Sequence, residues 1–165
     1  MNNRVLYLLV QNHQGVLARI SGLLSGRGYN VESFTAGRTN EEGLTRITLV
    51  CRGDDSIIDQ VKKQLNKIID IVKVVDLSER PTVDRELALI KVAAKPGERG
   101  ELFQLADIFK ATVKDVGTTS IVLEITGSTD EVDDLLLLLD GQVLELARSG
   151  LVSMERGKKE TKEIF

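Results

Sequence analysis

The sequence predicts an α+β fold of two tandem modules, each an antiparallel sheet with two helices on one face. Three observations point there. Short apolar runs suited to buried strands alternate with stretches whose apolar residues recur at helical spacing. The order strand–helix–strand–strand–helix–strand is traversed twice. A polar segment with a proline, Ser78-Glu79-Arg80-Pro81-Thr82, divides the two passes.

Residues 4–11 form a continuous apolar run that fits a buried first strand. Val16, Leu17, Ile20, Leu23 and Leu24 follow on one helical face, and Gly28 is placed as the glycine that stops that helix. Residues 30–38 and 44–52 are β-rich, and Thr39-Asn40-Glu41-Glu42-Gly43 between them is a hairpin signal. Asp54-Asp55-Ser56 offers capping groups to a helix carrying Ile57, Ile58, Val61 and Leu65. Ile68 to Leu77 reads as a fourth strand. This βαββαβ order is the split ferredoxin-like pattern.

The second pass repeats it. Residues 85–93 read as a strand, and Leu102, Leu105, Ala106 and Phe109 as a helix face. Residues 112–116 and 119–126 make a hairpin around Gly117-Thr118. Ser128 and Glu131 form a capping box ahead of Val132, Leu135, Leu136 and Leu139, and residues 142–153 close the unit. The expected domains are 1–78 and 84–165. Modules this small bury little surface alone, so docking or oligomerisation is expected, with each helix-free sheet face solvated or packed on a partner. Leu137 and Leu138 make the last helix apolar nearly all round, which predicts burial at an interface. The tail Gly157-Lys158-Lys159-Glu160-Thr161-Lys162 is mixed-charge and expected to fray.

Composition removes several function classes. With 4% aromatic residues and no Trp, stacking platforms for single-stranded nucleic acid are not expected. A net charge of −3 also weighs against a phosphate-backbone partner. Cys51 is the only cysteine and His13 the only histidine, so neither a disulfide nor a Cys/His metal site is expected. Val5–Val10 is too short for a membrane span or a signal-peptide core, which predicts a cytoplasmic protein with no membrane partner.

The chemistry concentrates at Asn12-His13-Gln14-Gly15-Val16-Leu17 and at Arg27-Gly28-Tyr29-Asn30-Val31. A tight turn into a helix presents backbone N–H groups that hold small anions such as a carboxylate. Gly15 either lets a ligand approach those groups or answers the turn's need for positive φ. Asn12 and Asn30 bracket the helix, as ligand contacts or as simple turn residues. Ala18, Gly22 and Ser25 form a small-residue stripe, fit for close approach of another chain or merely solvated. His13 reads as a solvated loop residue and Cys51 as core. Gly22, Gly26 and Gly28 fall at a helix end and make no dinucleotide fingerprint. Lys95-Pro96-Gly97-Glu98-Arg99-Gly100 holds the matching place in the second module but lacks an asparagine, a degenerate version of the site.

These residues carry a resemblance. Asn12-x-x-Gly15-Val16-Leu17-x-Arg19-Ile20 with Arg27–Ser33 resembles the ACT domain of acetohydroxyacid synthase (acetolactate synthase) small regulatory subunits. Val143-Leu144-Glu145-Leu146-Ala147-Arg148-Ser149-Gly150 is similar to that family's C-terminal segment, so the likeness spans essentially the full chain. Ala18, where some relatives have serine, and the variable pair His13-Gln14 depart from it.

The resemblance implies a non-catalytic subunit that binds the large catalytic subunit, raises its activity and makes it sensitive to valine, in branched-chain amino-acid biosynthesis. Thiamine diphosphate, magnesium and FAD would belong to the large subunit. It also implies a homodimer joined edge to edge through the second strands, with valine held between subunits by the N-terminal ACT domain. On that expectation the valine carboxylate meets the amides of Gly15, Val16 and Leu17. Asn12 and Asn30 take the ammonium, and Val31 walls the side-chain pocket. A free-standing ACT-type amino-acid sensor without an enzyme partner is the alternative. An enzyme in its own right is disfavoured, since no nucleophile–base pair or cofactor loop is visible.

Overall fold

The computed structural model describes residues 2–157; the tail segment from Lys158 onward lies outside the described residues. The first pass contains β1 (Asn2–Gln11), α1 (Val16–Gly26), β2 (Asn30–Arg38), β3 (Leu44–Gly53), α2 (Asp55–Leu65) and β4 (Ile71–Asp76). The second contains β5 (Thr82–Ala93), α3 (Arg99–Phe109), β6 (Thr112–Val116), β7 (Ser120–Gly127), α4 (Thr129–Leu138) and β8 (Val143–Arg148). A last strand, β9 (Val152–Glu155), pairs with β5. The sheet orders are β2-β3-β1-β4 and β6-β7-β5-β8, the same antiparallel ferredoxin-like arrangement twice.

Each unit has its own core. In the first, the two-residue period of β1 sends Leu6, Leu8 and Val10 toward the helices, where they meet Val16, Ile20 and Leu24 of α1 and Ile58, Val61 and Leu65 of α2. In the second, Ala88, Ile90 and Val92 of β5 meet Leu102 and Ala106 of α3 and Val132 and Leu135 of α4. Burying each large aliphatic side chain of this kind contributes about 1.5–3 kcal/mol. Helix starts follow the sequence signals: Asp54 accepts from the Ile57 N–H at 2.9 Å, and Ser128 with Glu131 completes a reciprocal capping box.

Three features differ from simple periodicity. β4 begins at Ile71 rather than Ile68, because residues 66–70 continue out of α2 as turns closed by Ile68 N to Leu65 O and Ile71 N to Ile68 O, both 3.0 Å. Leu137 and Leu138 stand 73% and 58% exposed on α4, so the chain itself does not cover them. The third feature concerns the helix-free face of the first sheet.

That face is covered in part by the chain itself. Tyr7, Leu9 and Leu77 are buried there, with Val5, Leu44 and Val75 beside them. Their cover is the segment that follows β8. The Leu151 N–H donates to Ser33 Oγ at 3.1 Å, Arg46 Nη2 donates to Ser153 O at 2.6 Å, and Arg80 pairs with Glu155 at 3.0 Å. Gly150, at φ +81°, supplies the left-handed residue where β8 gives way to this return. Compact packing accordingly groups residues up to Val83 with residues 151–157, and separately Asp84–Gly150.

Candidate functional site

The turn from β1 into α1 is held from two sides. The Gln11 N–H donates to Asp70 O at 2.8 Å, and the Asn12 N–H donates to Gly43 O at 2.7 Å. Gly15 sits at φ +86°, left-handed, and a Cβ built there would meet nothing within 4 Å. Backbone conformation is therefore what requires glycine, and the space above it is open.

α1 begins without a side-chain cap and without an acidic residue in its first turn, unlike α2 and α4. Its positive end is left for something other than its own side chains. The Val16 N–H makes a 3.3 Å contact to His13 O, long enough to be improved upon by an anion. The matching turn of the second module differs in charge: Glu98 stands at the N-cap position of α3, without a side-chain cap hydrogen bond, and Glu101 lies in its first turn, two acids that repel a carboxylate.

Beside the α1 start is a cleft of about 210 Å³ lined by Gln11, Asn12, His13, Val16, Leu17, Ala36, Gly37, Arg38 and Thr45 with Val10. Clefts for drug-sized ligands run to about 300–1,000 Å³, so this one suits a smaller metabolite. Arg38 gives it a cation. Asp70, whose side chain is only 7% exposed, anchors the turn: Arg19 Nη2 lies 2.7 Å from Oδ2 and His13 Nδ1 3.5 Å from Oδ1. The acid thus neutralises Arg19 and ties α1 to the turn after α2.

Of the residues singled out from the sequence, Asn12, Val16 and Leu17 meet at this cleft, with Gly15 forming its turn. The Val16 side chain is buried in the core, so its backbone is what it offers a ligand. Asn30 and Val31 are elsewhere in the same chain. Asn30 pairs with Arg52 while Arg38 pairs with Thr45, so they lie at opposite ends of β2, roughly 26 Å apart at about 3.3 Å per residue. The Asn30 amide donates to Glu32 Oε1 at 3.1 Å, and Val31 packs against the core. One chain alone does not bring the two asparagines to one spot. β2 is, however, an edge strand, and Ala18, Gly22 and Ser25 are exposed on α1.

Gln11, Arg38, Thr45 and Asp70 escaped the sequence reading. The signal for Asp70 was an acid inside the apolar run Ile68–Val75. Cys51 is buried, and burial pushes its thiol up to about 11, so it has no part in chemistry here. Among the described residues no group of three His, Cys, Asp or Glu side chains could hold a metal ion, and no helix is long and apolar enough to cross a membrane.

Residues 6–73 match the family described as the AHAS small subunit-like ACT domain, and residues 85–157 the small subunit of acetolactate synthase. A probable acetolactate synthase small subunit from Archaeoglobus fulgidus is 46% identical over 92% of this chain and 96% of its own length. The acetolactate synthase small subunit of Haemophilus influenzae is 40% identical over 94% and 97%. The crystal structure of the Thermotoga maritima acetolactate synthase small subunit superposes with a TM-score of 0.87 at 37% identity, covering 96% of this chain and all of that one. With fold, length and sequence in agreement from β1 to β9, the chain belongs to the family of acetolactate synthase small subunits, the regulatory and non-catalytic component of that enzyme.

Proposed function

We propose that this chain is the feedback sensor of a cytoplasmic acetolactate synthase. It binds and activates the large catalytic subunit, which holds the thiamine diphosphate, magnesium and FAD, and it inhibits that subunit when valine fills the cleft at the start of α1. The observation that carries this reading is the uncapped, acid-free helix start above a small cleft at Asn12. An amino-acid carboxylate fits the free end of α1, and the Asn12 side-chain oxygen suits the ammonium.

The distance between Asn12 and Asn30 has a natural answer in a homodimer joined through the β2 edges. An antiparallel pair of β2 strands centred on Phe34 sets Arg38 of one chain opposite Asn30 of the partner subunit, and Gly37 opposite the partner subunit's Val31. Ala36, Gly37 and Arg38 already line the cleft, so this pairing would complete it with both residues, twice per dimer. The functional limits proposed on this reading are 1–78 for the valine-binding ACT part and 84–165 for the C-terminal regulatory part, with residues 151–157 of the latter packing on the first unit. Valine inhibits only by favouring the arrangement it binds better.

The test is reconstitution with the catalytic subunit, measuring acetolactate formation with and without valine. Asn12→Ala and Asn30→Ala should each abolish valine inhibition and leave activation intact. Unchanged inhibition in both would refute the site, and absence of any effect on the catalytic subunit would favour a free-standing sensor.

A further inference from the structure

The helix-free face of the first sheet carries a second cleft, about 540 Å³, unrelated to the α1 start. Its floor is apolar, from Tyr7, Val75, Leu77 and Met154. Its walls are basic: Arg46, Lys73, Arg80 and Arg156 line it, against a single lining acid, Glu155. That acid is already engaged by both of its oxygens with Arg80 Nη1, at 3.0 and 3.1 Å.

Among the described residues no carboxylate forms an ion pair with the remaining cations. Arg46 stacks over Tyr7, its guanidinium carbon 3.9 Å from the ring centroid, and donates through Nη2 to Ser153 O. Its Nε is buried without a hydrogen-bond partner, and burial lowers its pKa more than the neighbouring Tyr7 raises it. Arg156 donates through Nε to the Thr82 carbonyl, a neutral acceptor. Lys73 makes no ion pair among the described residues. Arg46 is half-buried while Lys73 and Arg156 are exposed to water, so three positive charges converge on one concave, apolar-floored space and draw an anion to it.

We infer that this cleft is a binding site for a small, multiply charged oxyanion with an apolar body, such as a phosphorylated or polycarboxylate metabolite. Guanidinium forks and a lysine point charge match phosphate and carboxylate oxygens, and the floor accepts the carbon skeleton. The cleft volume lies within the range of small-molecule sites. The ligand is distinct from valine, because a single carboxylate with its own ammonium does not answer a surplus of three positive charges.

The test is calorimetric titration of the full chain with pyrophosphate and, separately, citrate, at about 150 mM salt, where surface charges are screened beyond roughly 8 Å. Saturable binding of either anion is expected, and the arm that binds more tightly identifies phosphate or carboxylate as the recognised group. Arg46→Gln and Lys73→Gln should each weaken it about tenfold or more, the loss of one charge-assisted contact. Lys73 is on the surface of a strand, so Lys73→Gln reports on binding even if Arg46→Gln folds poorly. Valine inhibition in the reconstituted enzyme should survive Lys73→Gln. Absence of binding by both anions, or binding unaltered by Lys73→Gln, would overturn the assignment.

Discussion

Replacing Asp70 with asparagine probes how the candidate effector site is held together. The side chain keeps its size but loses the charge that faces Arg19 Nη2 at 2.7 Å and His13 Nδ1 at 3.5 Å. The contact is an ion pair rather than a hydrogen bond, since Asp70 Oδ2 has no hydrogen-bond partner among the described residues; breaking a buried pair costs about 3–5 kcal/mol and an exposed one about 0.2–1. Here only one partner is dry: Asp70 is 7% exposed and Arg19 54%, so water takes over much of what Arg19 loses. The expected cost of Asp70→Asn is therefore about 1–2 kcal/mol, a fall in Tm of roughly 2–8 °C for a chain of this size. Urea unfolding followed by far-ultraviolet circular dichroism measures it. A double-mutant cycle with Arg19→Gln isolates the pair, and a coupling of about 1 kcal/mol is expected. Additivity of the two substitutions within about 0.3 kcal/mol would refute the claim that this pair ties α1 to the turn after α2. The same variant should raise the valine concentration needed for inhibition, because the turn carrying Asn12 loses its anchor.

Gly15→Ala should cost about 1–2 kcal/mol, since the strain is in the left-handed backbone and not in crowding; a variant as stable as the parent in urea would contradict this. Burial works to raise the Asp76 pKa, but hydrogen bonds from Ser78 Oγ and N, with Lys62 and Arg4 nearby, outweigh it and hold the carboxyl below its ordinary range. Its folded pKa is depressed, so its contribution to stability is complete above the ordinary carboxylate pKa and is lost as pH falls through the folded one. Asp76→Asn should accordingly flatten the acid limb of stability against pH and lower stability at neutral pH. Cys51, with its thiol pushed up to about 11 by burial, should resist alkylation at pH 8 in the folded chain and react readily in urea.

Much of the fold was legible because local signals agreed. The continuous apolar run of β1, the helical spacing through Ile20 and Leu24, the Asp54 cap and the Ser128–Glu131 box each point to the element that forms. The start of β4 was not legible, because Ile68, Ile69 and Ile71 look alike to a pattern whether in a turn or a strand. The cover on the helix-free face was written only indirectly. Tyr7 and Leu9 being apolar says that something lies over them, but no local pattern names Leu151–Arg156 as that segment. At the candidate site the turn chemistry of Asn12–Leu17 was readable from spacing. The separation of Asn12 from Asn30 was not, since it depends on how β3 aligns β2 on one side with β1 on the other, a matter of strand register.

The return of the final strand bears on how the chain is made. Ser33 waits for Leu151, 118 positions later, and Arg46 for Ser153, 107 positions later. A nascent chain emerging from the ribosome can form β1 to β4 early, yet Tyr7, Leu9 and Leu77 stay wet until Leu151–Arg156 has been made. Loss of the segment that begins at Leu151, through a stop codon or a protease cut, would therefore injure the first unit, far away in sequence from the lesion.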